Sequence, residues 1–249
     1  MTPAPVPWSP PPESLLLLVN EVHVWRACLS QPHAYIHQLR NVLVADEQVR
    51  AATYSSPRMR DHFIIARGLL RTIIGRYQGL EPQQLRFQYG VHGKPALAVE
   101  DGGDMVRFNV SHAHELVLIG VTHDREVGID IEYVHRRGAE RQIAERFFSA
   151  QEVAVLRALP EHMQHEAFYH CWTRKEAYVK ARGIGLALAL NRFTVSVSPE
   201  EPAILIDTLD DPGGMASWTL EMVAPGCGYV AAIAVEGTAA RVRQWQWTW

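Results

Sequence analysis

Cysteine is scarce in this chain, and its three copies lie far apart. Cys28, Cys171 and Cys227 form no CxxC pair, so their spacing predicts neither a structural zinc site nor a framework of disulfides. Free cysteines used in this way are typical of a reducing compartment, and we therefore expect a cytoplasmic protein.

Long hydrophobic runs and a basic leader are also missing. The apolar run at 15–19 is far too short to span a bilayer, and the Pro-rich opening at 1–12 lacks the positively charged start of a signal peptide. We therefore expect no association with a membrane. Because proline favours extended chain, residues 1–14 are predicted to form a flexible arm, with a docking motif for a partner as the alternative.

An excess of positive charge is absent as well. Lysine and arginine together number 24 against 27 aspartates and glutamates, which gives a net charge of −3. A chain of this charge has no global attraction to nucleic acid, so no nucleic-acid partner is expected. Lysine occurs only at 94, 175 and 180, and each of the three lies in a motif with other polar residues.

The chain does have the composition of a globular protein and clear periodic segments. Hydrophobic residues make up 47% of its 249 residues, which is ample for a buried core. The apolar stripe, the capping box at Ser149 and the closing Gly183 predict helices at 57–77, 150–159 and 164–182. Alternating or short apolar runs predict strands at 21–27, 96–99, 106–112, 116–122, 127–132, 192–197, 203–208, 217–223 and 228–235.

The predicted elements fall into two similar halves. Each half supplies one long helix and several mainly antiparallel strands, which predicts two α+β lobes at 15–124 and 125–249. The sequence shows no clear repeat between the halves. The last residues alternate Trp245, Trp247 and Trp249, which favours a packed final strand, with an exposed binding surface as the alternative.

Two carboxylates lie one residue apart in the strand at 127–132. Side chains alternate along a strand, so Asp130 and Glu132 share one face, roughly 7 Å apart at the backbone. Glu176 and Lys180 are four residues apart on the long helix, and three carboxylates with a lysine suit a Mg²⁺ ion that holds phosphates. Solvated acids on a strand edge and a surface ion pair are the simpler alternatives.

Arginines between 58 and 71 lie along the first long helix. They could form a solvated helix face, or they could clamp a phosphate, since the guanidinium group binds phosphate oxygens in pairs. The sequence pattern alone leaves both interpretations open.

Read together, six motifs in order resemble the 4′-phosphopantetheinyl transferase superfamily, and specifically its larger, surfactin-synthetase-activating type. The resemblance covers a little over half of the chain, from about 55 to 186. The motifs are RDHFIIARGLLR at 60–71, GKP at 93–95, FNVSH at 108–112, GIDIE at 128–132, RFFSAQE at 146–152 and WTRKEAYVK at 172–180.

The resemblance implies two lobes related by a pseudo-twofold axis, with the active site in the cleft between them. It also implies transfer of phosphopantetheine from coenzyme A to a serine of an apo acyl-, peptidyl- or aryl-carrier domain, with release of 3′,5′-ADP. Asp130, Glu132 and Glu176 would hold Mg²⁺, or Mn²⁺ in its place. Glu176 is also the expected base, and Lys180 would neutralise charge that develops on the phosphate.

The resemblance further implies a set of residues that contact coenzyme A: Arg60, His62, Arg67, Lys94, Ser111, His112 and Lys175. One of them departs from the family pattern, because the position before Phe63 is usually arginine and here is His62. A histidine gives a weaker or pH-dependent phosphate contact, or leaves that contact to Arg60.

Two functions of other classes remain as alternatives. A Mg²⁺-dependent nuclease also uses three acids and a lysine, although its last acid and lysine are usually two apart on a strand. A non-catalytic module could dock partners through the proline arm and the tryptophan tail, but that leaves the ordered acids unexplained. Two lobes in one chain complete a site without a second subunit, so a monomer is expected.

Overall fold

The computed structural model describes residues 7–98, 106–135, 138–185, 188–209, 214–238 and 241–249. Its α-helices are His33–Asn41 (α1), Ala45–Ala52 (α2), Pro57–Gln78 (α3), Glu140–Phe147 (α4), Ala150–Ala158 (α5) and Glu161–Arg182 (α6). Its strands are Glu21–Cys28 (β1), Phe87–Tyr89 (β2), Pro95–Leu97 (β3), Val106–Ala113 (β4), Leu116–His123 (β5), Val127–Tyr133 (β6), Phe193–Val195 (β7), Leu205–Thr208 (β8), Trp218–Val223 (β9), Tyr229–Glu236 (β10) and Arg241–Gln246 (β11).

The same order of elements occurs twice along the chain. One strand, three helices and four strands run from β1 to β5, and the series repeats from β6 to β10. The sheet order β1-β5-β4 matches β6-β10-β9, and the two-stranded sheet β2-β3 matches β7-β8. This repeat confirms the predicted fold class, which is two pseudo-twofold-related α+β lobes.

Four layers pack in the order helix, sheet, sheet, helix. α3 and the residues around it bury one face of the first sheet, where Trp25 and Ile119 contribute to the core. A second core of mainly aliphatic side chains lies between the two sheets and includes Val24, Ile129 and Ile131. α6 covers the outer face of the second sheet, because it packs on β6 and β10.

The two long helices have the same length and end in the same way. Each has 22 residues and stops at a glycine with positive φ, Gly79 at 63° and Gly183 at 65°. Only glycine adopts this conformation without strain, so both helix ends are encoded locally. The predicted helix at 57–77 is confirmed, and α6 begins at Glu161, three residues before the predicted start at 164.

Some predictions differ from the structure in detail. α1, α2 and α4 were absent from the predicted elements. The strand predicted at 96–99 is Pro95–Leu97, and its last predicted residue, Val99, lies outside the described residues. The strands predicted at 106–112 and 116–122 are β4 and β5, which pair as antiparallel neighbours.

The final strand crosses back to the first half. β11 pairs in parallel with β1, and Trp25 lies opposite Trp245 in that register. Trp245 and Trp247 pack against the core of the first half, as expected for a packed final strand. The lobe boundary at 124/125 stays a prediction, but β11 itself belongs to the first sheet.

Part of the Pro-rich arm makes defined contacts. The indole N–H of Trp8 donates to the carbonyl of Ala224 at 2.8 Å, and Arg76 donates to the carbonyl of Pro12 at 2.8 Å. Ser9 forms a β-bridge with Trp245. These contacts differ from the predicted flexible arm over 8–12, and residues 1–6 lie outside the described residues. In the described parts, no helix is both long and apolar enough to cross a membrane.

Candidate active site

Two side chains of β4 join the first half of the molecule to β6. The amide oxygen of Asn109 accepts a hydrogen bond from the backbone N–H of Ile129 at 2.9 Å. The hydroxyl of Ser111 accepts from the backbone N–H of Ile131 at 3.4 Å. Because alternate side chains point to one side of a strand, residues 109 and 111 together connect the edges of the two sheets.

Asp130, Ser111 and Lys180 form one hydrogen-bonded cluster at this junction. Asp130 Oδ1 accepts from Lys180 Nζ at 2.5 Å and from Ser111 Oγ at 3.0 Å. Lys180 Nζ also donates to Ser111 Oγ at 3.0 Å. β6 turns Ile129 and Ile131 towards the other sheet and Asp130 towards α6, so the strand and the helix bring Asp130 and Lys180 together.

Glu176 lies close enough to Asp130 for the two carboxylates to interact. Burial, and then the charge of Asp130, raise the pKa of Glu176. Burial also raises the pKa of Asp130, although Lys180 and Ser111 counteract it. Two neighbouring acids whose pKa values are both raised, in a site that buries them, favour a bound cation.

One oxygen of Asp130 is left over. Asp130 Oδ2 is buried and has no hydrogen-bond partner among the described residues. A buried, ionised oxygen without a donor is costly, and a hard cation such as Mg²⁺ satisfies it, since Mg²⁺ prefers carboxylate oxygens. The donor set at Asp130 and Glu176 therefore fits the expected metal.

Glu132 lies two residues after Asp130 on β6. It is partly buried and lines a small cavity together with Trp172, Phe168 and Glu140. Within the described ranges, no group of three or more His, Cys, Asp or Glu side chains is drawn together closely enough to hold a metal as it stands. The metal set of Asp130, Glu132 and Glu176 stays a prediction.

His112 and His62 lie on the approach to Lys180. Burial lowers the pKa of His112, although part of the residue is exposed, and the charges of Lys180 and His62 lower it further. Burial lowers the pKa of His62, whose ring lies 3.9 Å from Glu115. Arg60, two residues before His62 on α3, is about half exposed and lies 3.8 Å from Asp61. These three predicted phosphate contacts remain accessible to a ligand.

Lys94 contacts α6 at Ala181, the residue after Lys180. Its ammonium group donates to Glu126 at 2.7 Å and to the carbonyl of Ala181 at 3.1 Å. It therefore ties the turn at 90–95 to the end of α6. A phosphate bound there would have to share this ammonium group with Glu126.

The guanidinium group of Arg67 already has hydrogen-bond partners within the first half. Its guanidinium donates to Glu47 at 2.5 Å and to the hydroxyl of Tyr89 at 2.7 Å, and it stacks on the ring of Phe87. A contact with coenzyme A would require Arg67 to break these bonds, and a structural role describes its position better.

The prediction that Lys175 contacts the substrate is wrong. Its side chain is fully buried, and Nζ donates to both carboxylate oxygens of Glu152, at 2.6 and 2.7 Å, and to the carbonyl of Phe193. Helical geometry turns Lys175 towards the core, while Lys180, five residues on, reaches Asp130. A buried, saturated ammonium group cannot contact a substrate phosphate.

The same arrangement occurs in the first half. Glu47 on α2 pairs with the buried Arg71 on α3, at 2.6 and 2.9 Å, as Glu152 on α5 pairs with Lys175 on α6. Arg71 and Lys175 are both the fifteenth residue of a 22-residue helix. Each glutamate also occupies the third position of a short helix, where it caps the helix start. Of the two helix starts, only the one at Ser149 is readable from the sequence, because Val44 is not a capping residue type.

Comparison with known proteins agrees with the geometry. A family model described as "4′-phosphopantetheinyl transferase superfamily" matches residues 126–234, and one described as "4′-phosphopantetheinyl transferase, N-terminal" matches residues 24–123. The chain is similar to the 4′-phosphopantetheinyl transferase HetI of Nostoc sp., with 38% identity over 240 residues, which cover 96% of this chain and 98% of that protein.

Two further relatives match over shorter stretches. The 4′-phosphopantetheinyl transferase Sfp of Bacillus subtilis is 36% identical over 127 residues, which cover 51% of this chain and 54% of Sfp. A crystal structure of the Thermotoga maritima holo-[acyl-carrier-protein] synthase superposes with a TM-score of 0.37 at 21% identity, covering 47% of this chain and 64% of the other.

Proposed function

The chain belongs to the 4′-phosphopantetheinyl transferase superfamily, and we propose that it moves 4′-phosphopantetheine from coenzyme A to a serine of a carrier protein in a Mg²⁺-dependent reaction. The observation that supports this proposal most strongly is the cluster of Asp130, Glu176 and Lys180 at the junction of the two halves. It offers buried anionic oxygens for a metal beside a cation for phosphate.

In the proposed reaction, the serine oxygen of the carrier attacks the phosphorus that bears the pantetheine arm. A new P–O bond to serine forms, and the P–O bond to the adenylate half of coenzyme A breaks. The leaving group is 3′,5′-ADP, and the serine proton passes to a base. The result is a phosphodiester on the carrier, which is converted from its apo to its holo form.

Asp130 and Glu176, with Glu132 as a third ligand, are the residues that would hold the metal. When bound, Mg²⁺ shields the charge of the coenzyme A pyrophosphate and makes its phosphorus easier to attack. Asp130 Oδ2 is the atom of this chain best suited to that contact, since Oδ1 is already occupied by two donors.

Glu176 is the best candidate for the base. Its raised pKa makes the carboxylate more willing to take a proton than an ordinary glutamate, as proton abstraction requires. A carboxylate bound directly to the metal is a poorer base, so the two proposed roles of Glu176 compete. A proton taken through one water would reconcile them.

Lys180 would neutralise negative charge on the phosphoryl oxygens. Its ammonium group is partly exposed while it pairs with Asp130, so it can face both the metal ligand and an incoming phosphate. His62 and His112 would hold remaining phosphates of coenzyme A beside Lys180, and the exposed Arg60 would reach a phosphate from the start of α3. Lys94 would contribute only by sharing its bond with Glu126.

The proposed partners are apo acyl-, peptidyl- and aryl-carrier domains, each of which presents a serine. We further propose that the protein works as a cytoplasmic monomer, because both halves of the junction come from one chain.

Mass spectrometry of carriers tests the proposal. The protein is mixed with coenzyme A, Mg²⁺ and a panel of apo-carriers of the three kinds, and each carrier is weighed before and after. The expected result is a gain of one phosphopantetheine group on at least one carrier, matched by release of 3′,5′-ADP and abolished by a chelator. Carriers that all keep their apo mass would contradict the proposal.

A further inference from the structure

We propose that Glu115 is a specificity-determining residue, which competes with the 3′-phosphate of coenzyme A for Arg58 and His62. It thereby reduces the preference of the protein for coenzyme A over dephospho-coenzyme A. The inference rests on the proposed function, since it concerns the substrate of the same site. Glu115 was not among the site residues expected from the sequence resemblance.

A row of basic side chains leads away from the cluster at Asp130. Lys180 begins the row, and its charge acts on the ring of His112, as does the charge of His62. The charge of Arg58, at the start of α3, acts in turn on His62. Coenzyme A carries a pyrophosphate and a separate phosphate on its ribose. With the pyrophosphate at Asp130 and Lys180, the 3′-phosphate would lie along the rest of this row.

Glu115 lies at the far end of the row and already contacts its last two members. Its Oε1 accepts a hydrogen bond from Nη2 of Arg58, and its Oε2 lies 3.9 Å from Nε2 of His62. A carboxylate and a phosphate are both anionic acceptors, and a guanidinium group binds either of them through its N–H donors. Glu115 therefore takes up donors that a substrate phosphate would use.

The backbone of Glu115 keeps the carboxylate in this position. Its N–H donates to the hydroxyl of Tyr229 at 3.2 Å, and its carbonyl accepts from the N–H of Leu29 at 2.7 Å. The residue lies in the two-residue turn that joins β4 to β5. Since both backbone groups are bonded, the side chain can rotate, but the turn holds it beside α3. A bound phosphate must therefore share Arg58 with a nearby negative charge, and the two anions repel each other.

The charges around His62 decide the direction of the effect. Burial lowers the pKa of His62 below its ordinary value of 6.5, and the charge of Glu115 only partly offsets this shift. At about pH 8 the ring is therefore neutral with or without Glu115. The other groups that act on the ring are Arg58, Asp61 and His114. Arg58 is a permanent cation and two acids oppose it, so removing the charge of Glu115 favours a dianionic phosphate.

Glu115→Gln tests the competition, because the amide keeps the shape of the carboxylate and removes its charge. Affinities for coenzyme A and dephospho-coenzyme A are measured by calorimetry at about pH 8 and low salt, with Mg²⁺ present and no carrier. We expect the variant to bind coenzyme A about 3- to 10-fold more tightly than wild type does, since one charge that repels a dianion is lost. Dephospho-coenzyme A lacks this phosphate, so its affinity should stay within about twofold. Added salt should reduce the gain.

Glu145→Gln is the matched control. Glu145 accepts from Arg157 at 2.6 Å, and the exposed fraction of that arginine side chain, 58%, is close to the 59% of Arg58. The pair lies beside the start of α6, whereas Lys180 lies near its end. The variant removes one negative charge without touching the row, so both affinities should stay within about twofold of wild type. A gain equal to that of Glu115→Gln would assign the effect to net charge and overturn the proposal.

Two further results would overturn the role of Glu115. Unchanged or weaker binding of coenzyme A by Glu115→Gln would mean that the acid holds Arg58 and His62 in place for the substrate. An equal gain for dephospho-coenzyme A would mean that the 3′-phosphate is not the group that competes. Both readouts are binding constants. A wild-type protein that binds coenzyme A but modifies no carrier would therefore refute the proposed function alone, and the affinities would still decide the role of Glu115.

Discussion

Gly128 of β6 lies directly beneath the backbone of Ala177 on α6. A Cβ atom at position 128 would stand 2.1 Å from the carbonyl oxygen of Ala177 and 2.2 Å from the amide nitrogen of Ala181. Backbone atoms cannot move aside as a flexible side chain can. The missing side chain therefore sets how closely α6 approaches β6, and this approach is what brings Lys180 onto Asp130.

Gly128→Ala should consequently damage both stability and activity. The added methyl forces α6 away from β6, which should cost roughly 1–3 kcal/mol or more of unfolding free energy, measured by urea denaturation. It should also break the 2.5 Å contact between Lys180 and Asp130 and reduce transfer strongly.

Gly120→Ala is the control for this variant. Its Cβ would meet mainly the side-chain tip of Ile233, at 3.0 Å, and that tip can rotate. We expect a smaller loss of stability and little loss of activity. Equal effects of the two substitutions would refute the specific importance of the contact between β6 and α6.

Lys175→Met and Lys180→Met should separate a structural lysine from a catalytic one. Lys175→Met leaves Glu152 as a buried, unpaired carboxylate, so it should cost roughly 3–5 kcal/mol and lower the melting temperature by on the order of 10 °C. Lys180 is partly exposed and Ser111 still donates to Asp130, so Lys180→Met should lose less stability than Lys175→Met but should transfer slowly. Calorimetry measures the melting temperatures of the two variants. Initial rates, taken 20 °C below the lower of the two melting temperatures, measure their transfer activity.

The partner of Lys175 supplies the control. Changing Glu152 to Gln in the Lys175→Met background removes the unpaired charge, so part of the lost stability should return. A Lys175→Met protein that melts like wild type would show that the buried ion pair is not what holds α5 to α6.

His170 should make the fold sensitive to mild acid. Burial and the nearby Arg174 lower the pKa of His170 to about 4, against 6.5 for a free histidine. Because the folded pKa is the lower one, its contribution is intact above about pH 6.5 and is lost as pH falls towards 4, where the unfolded chain takes up a proton first. The loss from this group amounts to roughly 3 kcal/mol.

Denaturant titrations between those two pH values measure this effect. His170→Gln should flatten the slope of stability against pH by about one proton. An unchanged slope in the variant would assign the acid sensitivity to other groups.

Coenzyme A binding should depend on the cations that remain accessible. Affinity should fall as salt rises, and dephospho-coenzyme A should bind more weakly if the 3′-phosphate is held. His112→Ala should weaken binding of coenzyme A. Arg67→Ala should lower the melting temperature with affinity unchanged, since Arg67 is occupied by Glu47 and Tyr89. Calorimetry with both compounds checks each point, and equal affinity for the two would remove the 3′-phosphate contact.

Much of the fold was predictable because its signals are local. Gly79 and Gly183 end the long helices by their own conformation, and the capping box at Ser149 starts α5. The pairing of Asp130 with Lys180 was also within reach, since strand alternation and helical spacing place each on a definite face. Where one residue type fixes the backbone conformation, its position in the sequence is enough to predict where a helix begins or ends.

The remaining features depend on contacts distant in sequence. The repeat of β1–β5 in β6–β10 is hidden because equivalent positions hold different residues, as with Arg71 and Lys175. Lys175 was misassigned because α6 is buried on several sides and shows no single apolar stripe. The parallel pairing of β11 with β1 joins residues more than two hundred positions apart, which periodicity does not reveal.

The most direct test of the central claim is the turnover of Glu176→Gln at saturating coenzyme A, Mg²⁺ and apo-carrier. The substitution keeps the shape of the side chain but removes the negative charge needed to hold the metal or take the serine proton. A loss of ~3–4 kcal/mol of transition-state stabilisation predicts a rate on the order of a hundred- to a thousandfold below wild type, in a protein that melts near wild type. Near-normal turnover would contradict an active site built on Asp130, Glu176 and Lys180, even if coenzyme A still bound.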